Sequence, residues 1–331
     1  MKKIFFAALA AVALTACVAD VVTEEPTYAI DFVSNTKSGV KSLVKDANTF
    51  TAFRVFAFNN DETANQTYTI MDDMLVKKEG NKWTYETKKY WPANGDVDFY
   101  GVSIDPTAES EYIYDYGATA ANGLTFDITM AAASGVVDAA NVPDAVYAAA
   151  MDKTKDAANN PVQMTFRHAM AWVDFKICNN TTPADEITVT SGDVYVEGLK
   201  CDGKYIVEKG ITTSAGADSP IGAWTLKTDN ISYLFPKKET TIAAGQTSES
   251  ILNDKCLVFP QTTGKNKVEF KVWFTIKLKG VVIFNGFRTA QAEVNWMQGY
   301  KYTYIFTLED HYPIENEVFL SEDVVAYENG K

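Results

Sequence analysis

Two segments near the C-terminal end alternate between apolar and polar residues with the period of a β-strand. In Val268–Leu278 every even-numbered position is apolar and most odd-numbered positions are polar. In Tyr300–Leu308 every even-numbered position is aromatic or leucine. Because successive side chains of a strand point to opposite faces, each segment is predicted to bury one face and expose the other.

Similar short segments continue through most of the chain. From Phe50 onward, runs rich in Val, Ile, Thr and aromatic residues are separated by clusters of Gly, Asn, Asp and Pro. This composition is typical of strands joined by turns. The further predicted strands are Phe50–Phe58, Thr67–Met71, Lys82–Tyr90, Asp96–Ile104, Gly123–Thr129, Val194–Leu199, Lys204–Val207, Ile231–Phe235 and Lys255–Phe259. We therefore expect an all-β fold built of sandwiches.

One segment changes the parity of its apolar positions. Between Val162 and Phe166 the apolar residues are even-numbered, whereas between Val173 and Ile177 they are odd-numbered. One extra residue must be absorbed between the two halves, so a β-bulge or a bend is predicted near His168.

Helical periodicity is scarce. The segment Ala131–Ala150 is rich in alanine, but Gly135 and Pro143 interrupt it, so only short helical turns are expected there. The polar run 152–161 has no apolar periodicity and is predicted to be a linker. A chain of this length is expected to hold two domains. The predicted divisions are a signal peptide over 1–16, an N-terminal segment over 17–49, β-sandwich domains over 50–160 and 161–310, and a tail over 311–331.

The N-terminus has the pattern of an export signal. Two lysines precede the apolar run Ile4–Leu14, which is shorter than the ~20 residues needed to span a bilayer. The following Leu14–Cys17 resembles the lipobox of bacterial lipoproteins, whose cysteine is acylated before cleavage. We therefore predict that Cys17 carries the lipid, palmitate included, and becomes the first mature residue. The alternative is a plain signal peptide with a chance cysteine.

Composition excludes some classes of partner. The net charge of −13 repels nucleic acid, so no nucleic-acid partner is expected. Beyond Cys17 the chain has Cys178, Cys201 and Cys256, so at most one intramolecular disulfide can form. A Cys178–Cys201 pair and buried free thiols are both compatible with the sequence.

Residues for catalysis are few. The chain has two histidines, His168 and His311, which disfavours a catalytic triad or a histidine-rich metal site. No metal, cofactor or enzymatic activity is expected. Paired acids such as Asp72 and Asp73 are the remaining route to a glycosidase, although adjacent acids on loops are usually solvated.

Aromatic residues offer another function. Trp83, Tyr90 and Trp91, with the alternating tyrosines of 112–116, have the composition of a sugar-stacking surface. Alternating aromatics on strands are more often core residues. A monomeric glycan-binding surface lipoprotein is therefore an alternative hypothesis.

Several motifs resemble the fimbrillin family of Bacteroidetes, the subunits of type V pili. The matching segments are Phe53–Phe58, Tyr90–Pro92 followed by Val97–Gly101, Pro143–Ala148, Val162–Phe175 and Trp296–Tyr304. They occur in the order of the family and behind a lipobox.

The resemblance implies two transthyretin-like β-sandwich domains in tandem and a non-enzymatic role in adhesion. It implies export to the outer membrane as a lipoprotein, proteolytic removal of the N-terminal segment with its first strand, and filling of the emptied groove by a strand from another fimbrillin subunit. Tyr28–Val33 is the expected removable strand. The expected donor is the tail, through Val318, Leu320, Val324, Val325 and Tyr327; the alternative is a tail folded onto its own domain.

One departure from the family concerns processing, which is best known as arginine-specific. The chain has three arginines, and Arg54 lies inside a predicted strand. Lys37, Lys41 and Lys45 are therefore the expected processing region. The leading hypothesis is a fimbrial subunit that polymerises by donor-strand exchange and meets a host or bacterial surface ligand; an unprocessed anchor subunit is the alternative.

Overall fold

The computed structural model describes residues 28–36, 50–104, 112–130, 135–156, 160–181, 187–209, 221–227, 230–309 and 319–326. In this part of the chain β-strands dominate, with one turn of 3-10 helix at Ala139–Asn141. The strands are β1 (Phe32–Thr36), β2 (Ala52–Asp61), β3 (Gln66–Glu79), β4 (Lys82–Thr84), β5 (Asp96–Ser103), β6 (Tyr112–Thr119), β7 (Gly123–Met130), β8 (Val136–Asp138), β9 (Val146–Lys153), β10 (Val162–His168), β11 (Ala171–Asn179), β12 (Ile187–Leu199), β13 (Asp202–Val207), β14 (Ala223–Leu226), β15 (Ile231–Phe235), β16 (Thr241–Ala243), β17 (Gln246–Thr247), β18 (Cys256–Val258), β19 (Gln261–Thr262), β20 (Val268–Leu278), β21 (Val281–Ala292), β22 (Asn295–Trp296), β23 (Tyr300–Leu308) and β24 (Phe319–Ala326). The predicted all-β class is confirmed.

The two most regular predicted strands have their predicted bounds as β20 and β23. Along β20, buried and half-buried side chains alternate from Val268 to Ile276. This alternation follows from the period of two in the sequence, because the apolar residues share one face. The aromatic face of β23 is buried in the same way.

The N-terminal part of the chain forms a seven-stranded sheet with the order β1-β10-β9-β5-β2-β3-β4. Strand β2 is central and both of its faces are buried. Phe53 and Val55 belong to one apolar cluster, and Phe56 and Phe58 to another on the opposite face. The sheet therefore packs apolar side chains on both sides, as expected for a run without polar alternation.

The C-terminal part forms two sheets that face each other. One has the order β21-β20-β12-β15-β8, with β16 beside β12; the other is β17-β11-β23-β24, with β18 beside β11. The Phe175 ring of β11 lies 4.9 Å from Phe235 of β15 and 6.3 Å from Phe270 of β20. These inter-sheet contacts define the core of a sandwich.

The predicted bend near His168 is confirmed. Strand β10 ends at His168 in the seven-stranded sheet, and β11 begins at Ala171 in the sandwich. Ala169 and Met170 between them are fully buried. The change of parity is thus the point at which the chain passes from one sheet to the next.

Strand pairing crosses the division expected within 152–161. Strand β7 pairs with β13 and β8 pairs with β15, although each pair joins residues from the two expected domains. Strand β10 lies in the N-terminal sheet, beside β9 and β1. The tandem transthyretin-like arrangement stays a prediction.

Candidate assembly interface

The first described segment of the chain is an edge element. Strand β1 pairs in parallel with β10, with Phe32 opposite Val162 and Thr36 opposite Phe166. The amide of Val162 donates to the carbonyl of Asp31 at 2.7 Å. As the outermost strand of the sheet, β1 pairs with one strand, β10.

The residues before β1 contact a different part of the protein. Ala29 forms an antiparallel bridge with Tyr90. The amide of Ile30 donates to Lys89 O at 2.9 Å, and the amide of Trp91 donates to Tyr28 O at 3.1 Å. The segment 28–36 therefore lies between β10 and residues 89–91. The strand predicted at Tyr28–Val33 begins later, at Phe32, because the residues before it form this bridge.

Two side chains fix the segment in the core. Ile30 is 0% exposed and Phe32 is 5% exposed. The Phe32 ring lies 5.9 Å from each of the rings of Phe53, Tyr85 and Phe99, in edge-on geometry. Such aromatic contacts add to the free energy of burial. Ile30 and Phe32 thus fill a groove whose lining includes the rings of Phe53, Tyr85 and Phe99.

Polar contacts tie the same segment to the groove. The Tyr85 hydroxyl donates to Ile30 O at 2.5 Å, and burial raises the pKa of this tyrosine. Asn160 bonds at both ends of its amide, accepting from Asp31 N at 3.1 Å and donating to Ala29 O at 3.2 Å. Lys88 Nζ lies 3.3 Å from Asp31 Oδ1 in an exposed ion pair, which contributes little.

The core role of Ile30 and Phe32 was not assigned from the sequence. Tyr28, Ile30 and Phe32 are apolar at alternate positions, and this pattern is the signal that predicts one buried face. The partner of that face is not readable from the sequence, because β10 lies about 130 residues away along the chain.

The expected processing residues Lys37, Lys41 and Lys45, as well as Cys17, lie outside the described residues. Arg54 is in β2, paired on both sides with β3 and β5. Its Nη1 lies 3.0 Å from Asp73 O and 3.5 Å from Asp73 Oδ2. A peptide bond inside a central strand cannot enter a protease cleft without unfolding of the sheet.

Strand β24 is the second edge element. It pairs antiparallel with β23 from Thr307 opposite Phe319 to Tyr300 opposite Ala326. Leu320 is half-buried against the core, whereas Ser321 to Asp323 are exposed and Val324 is 44% exposed. The described part of the tail, Phe319–Ala326, is therefore a strand, and here it pairs with its own chain.

The donor residues predicted in the tail are partly described. Val318 and Tyr327 lie outside the described residues, and of Val325 only the backbone pairing with Lys301 is described. Glu322 lies opposite Tyr304. Burial, and then the charge of Glu322, raises the pKa of the Tyr304 hydroxyl, which also accepts from Trp296 Nε1 at 2.8 Å. The donor role stays a prediction.

The tryptophans expected in a sugar-stacking surface are core residues. Trp83 is 9% exposed and Trp91 is 8% exposed, and both lie in the apolar cluster of the seven-stranded sheet. Tyr90 is exposed, and Tyr114 stacks on Tyr116 at 6.0 Å. Trp83 and Trp91 are therefore not available to stack on a sugar at the surface.

The remaining candidate residues have structural surroundings. His168 Nδ1 lies 2.7 Å from Asp144 Oδ1 at the turn between β10 and β11. His311 lies outside the described residues. No disulfide joins Cys178, Cys201 and Cys256, all of which are described, and burial raises the pKa of Cys256. Asp72 is exposed, while its neighbour Asp73 contacts Arg54.

Among the described residues, no helix has both the length and the apolarity needed to cross a bilayer.

Solved structures with a similar fold include bacterial surface proteins. A fimbrial protein from Bacteroides vulgatus matches with a TM-score of 0.62 at 12% identity, over 90% of this chain and 99% of that one. A candidate cell adhesion protein from Bacteroides ovatus has a TM-score of 0.49 at 16% identity, over 91% and 98%. The fimbrial anchor protein Mfa2 from Porphyromonas gingivalis has a TM-score of 0.40 at 11% identity, over 90% and 96%.

Two sequence families match the chain. Residues 1–17, which end at Cys17, match the prokaryotic membrane lipoprotein lipid attachment site. No curated protein matches the sequence. The fimbrillin-like family matches residues 43–322. The chain therefore belongs to the fimbrillin-like family and is an exported, surface-associated lipoprotein of fimbriae.

Proposed function

We propose that the chain is a structural, non-enzymatic fimbrial subunit that polymerises by donor-strand exchange and serves adhesion to a host or bacterial surface. In this proposal, cleavage within the segment that holds Lys37, Lys41 and Lys45 releases the lipidated segment together with β1. The groove beside β10 then receives the tail strand of another fimbrillin subunit. This is β-augmentation, in which backbone hydrogen bonds supply affinity and side chains in pockets supply specificity.

The observation that carries the proposal is the position of β1. It lies at a sheet edge, yet Ile30 and Phe32 are core residues. Burial of two such side chains contributes about 3–6 kcal/mol. Removal of the segment would expose the groove and leave the β10 edge unpaired, and such an edge pairs readily with another strand.

The tail has the properties expected of a donor. In its own chain β24 makes backbone pairs, but Ser321 to Val324 bury little side-chain area. Withdrawal of Ser321 to Val324 therefore costs few apolar contacts. Val318 and Leu320 are two positions apart in the sequence, as are Ile30 and Phe32. A strand inserted in the groove can therefore place two apolar side chains where those two lie.

Limited proteolysis tests the proposal directly. Trace trypsin is expected to cut purified protein within Lys37–Lys45 and to produce an SDS-resistant ladder on gels. Deletion of Val318–Lys331 should leave the cut unchanged and remove the ladder. Trimmed protein that stays monomeric would exclude the shaft role. A ladder that survives the deletion would place the donor strand elsewhere.

A disulfide lock separates strand removal from cleavage. Val33 lies opposite Gln163, which is exposed, so Val33→Cys with Gln163→Cys should link β1 to β10 outside the core. The locked double variant is expected to be cut but to polymerise only after reduction. The single variants should polymerise without reduction. Polymerisation of the locked protein in its oxidised state would contradict exchange at this groove.

Processing also distinguishes the possible places of the subunit. A shaft subunit loses the lipid with β1, whereas an anchor keeps both. Mass spectrometry of the subunit in isolated fimbriae is expected to show a mature N-terminus after Thr36. Recovery of the acylated Cys17 peptide in the same chain would assign it to the anchor instead.

A further inference from the structure

Three carboxylates converge at one end of the seven-stranded sheet. The side-chain oxygens of Asp96, Asp98 and Asp152 lie within 4.8 Å of one another. Asp98 is buried, Asp96 is half-buried and Asp152 is exposed. The cluster is therefore anchored in the protein and open to solvent on one side.

Two neighbouring strands, β5 and β9, supply the three carboxylates. Asp96 and Asp98 lie on one face of β5, opposite Asn60 and Phe58 of β2. The ladder between β5 and β9 is irregular between Val97 and Phe99, and at this point Asp152 has a φ of 54°. Because of this irregularity, the Asp152 amide donates to Asp98 Oδ1 at 3.0 Å.

Asn60 completes the set of polar groups. Its Nδ2 donates to Asp96 Oδ1 at 2.9 Å and to Asp98 Oδ2 at 3.0 Å, and its Oδ1 accepts from Lys209 Nζ at 3.5 Å. A half-turn of this amide would direct Oδ1 at both carboxylates. Carboxylates within 4.8 Å of one another repel, and a cation held between them would remove this repulsion.

A buried hydroxyl independently indicates a ligand at this place. Tyr100 follows Asp96 and Asp98 on the same face of β5 and is 1% exposed. Within the described residues its hydroxyl has no hydrogen-bond partner. The Tyr100 ring packs 6.3 Å from the ring of Phe58, which lies opposite Asp98 in the pairing of β2 with β5. Buried polar groups of folded proteins are rarely left unpaired.

We propose that Asp96, Asp98 and Asp152, with the Asn60 amide oxygen, bind a divalent cation, and that this cation is Ca²⁺. All the offered ligands are oxygens, which suits a hard cation and disfavours Zn²⁺. The ligands come from three strands without octahedral symmetry, and Ca²⁺ tolerates such geometry better than Mg²⁺. The cation joins the ends of β2, β5 and β9, close to Lys209 beyond β13. The sequence did not predict this site because its ligands are ordinary acids in separate strands.

Thermal unfolding with added salts tests the site. For the purified full-length lipoprotein in detergent, CaCl₂ is expected to raise Tm saturably, with half-saturation in the range of about 0.1–1 mM that is typical of extracellular sites. The same concentration of MgCl₂ should have a smaller effect. No saturable shift with CaCl₂ would overturn the proposal.

Matched variants locate the effect. Asp152→Asn is exposed and should fold normally while it weakens the CaCl₂ response at least tenfold. Asp72→Asn, an exposed acid on β3, should respond as the unchanged protein does. Equal responses of these two variants would show nonspecific ion binding and would also overturn the proposal.

Terbium gives a second readout that does not depend on stability. Tb³⁺ occupies calcium sites, and a tyrosine nearby sensitises its luminescence. Excitation of tyrosine should produce Tb³⁺ emission, and CaCl₂ should suppress this emission by displacing Tb³⁺. Tyr100→Phe should reduce the emission severalfold. Undiminished emission from both Tyr100→Phe and Asp152→Asn would place the ion elsewhere.

Discussion

Phe32 and Val33 are neighbours in β1 but have different surroundings. The Phe32 ring is buried among three aromatic rings, whereas Val33 is half-buried opposite the exposed Gln163. Phe32→Ala is expected to lower the free energy of unfolding by about 3–5 kcal/mol, because it removes a core ring. Val33→Ala should cost about 1 kcal/mol or less. Urea unfolding of both variants measures the difference; equal losses would mean that Phe32 is not a core residue.

The buried tyrosine hydroxyls predict sensitivity to alkali. Burial raises the pKa of Tyr304 and Tyr302, so the folded state favours their neutral forms. Their contribution to stability is complete below a pH of about 10, the pKa of an unfolded tyrosine, and is lost as the pH rises above it. Urea unfolding at several pH values should therefore show a steep fall above a pH of about 10.

A conservative variant checks the assignment to Tyr304. Tyr304→Phe removes one ionisable hydroxyl, so its free energy of unfolding should fall less steeply with alkaline pH. Tyr68→Phe, at an exposed tyrosine, should keep the slope of the unchanged protein. Equal slopes for the two variants would exclude Tyr304 as a source of the effect.

The burial of individual residues could be predicted from the sequence where it depends on a local pattern. The alternation in Val268–Leu278 gave the bounds and the buried face of β20. The cluster of Asp96, Asp98 and Asp152 was not readable, since it depends on the irregular pairing of β5 with β9. Trp83 and Trp91 show the same limit, because composition alone does not distinguish a core aromatic from a binding surface.

Among the elements, β24 and β11 flank the same strand but differ in burial. Strand β11 is central and its Val173, Phe175 and Ile177 are fully buried, whereas β24 is an edge whose side chains from Ser321 to Val324 are exposed. Backbone amides of β24 are therefore expected to exchange with deuterium much faster than those of β11. Hydrogen–deuterium exchange of the monomer measures this. Equal protection of the two strands would contradict a tail that detaches at low cost.

The bend at His168 shows which features of the strands can be predicted from the sequence pattern. The change of parity gave its position, but the sheets on either side of it depend on pairings between distant strands. The run 152–161 was predicted as the division of domains because it lacks apolar periodicity. The sequence pattern does not show that β10, which follows this run, pairs with β9 and β1.

At the scale of the whole molecule, pairing across the expected domains predicts cooperative unfolding. Strand β7 pairs with β13 over six residue pairs, and Phe126 stacks on Tyr205 at 4.8 Å. Calorimetry is expected to show a single transition for the mature chain. Fragments 50–160 and 161–310, expressed separately, should fail to fold because each loses sheet partners. Two resolved transitions, or a folded fragment, would contradict this.

Strands β1 and β24 lie at the edges of different sheets, one in the seven-stranded sheet and one beside β23. Under the proposed exchange, the surface that receives a strand therefore differs from the one that gives it. Such head-to-tail contacts are heterologous and, unless the rotation closes a ring, generate an open filament with two chemically different ends. A subunit that keeps β1 can donate its tail but cannot accept one. Retention of one short strand would thus cap the filament at one end, and the same end would carry the lipid.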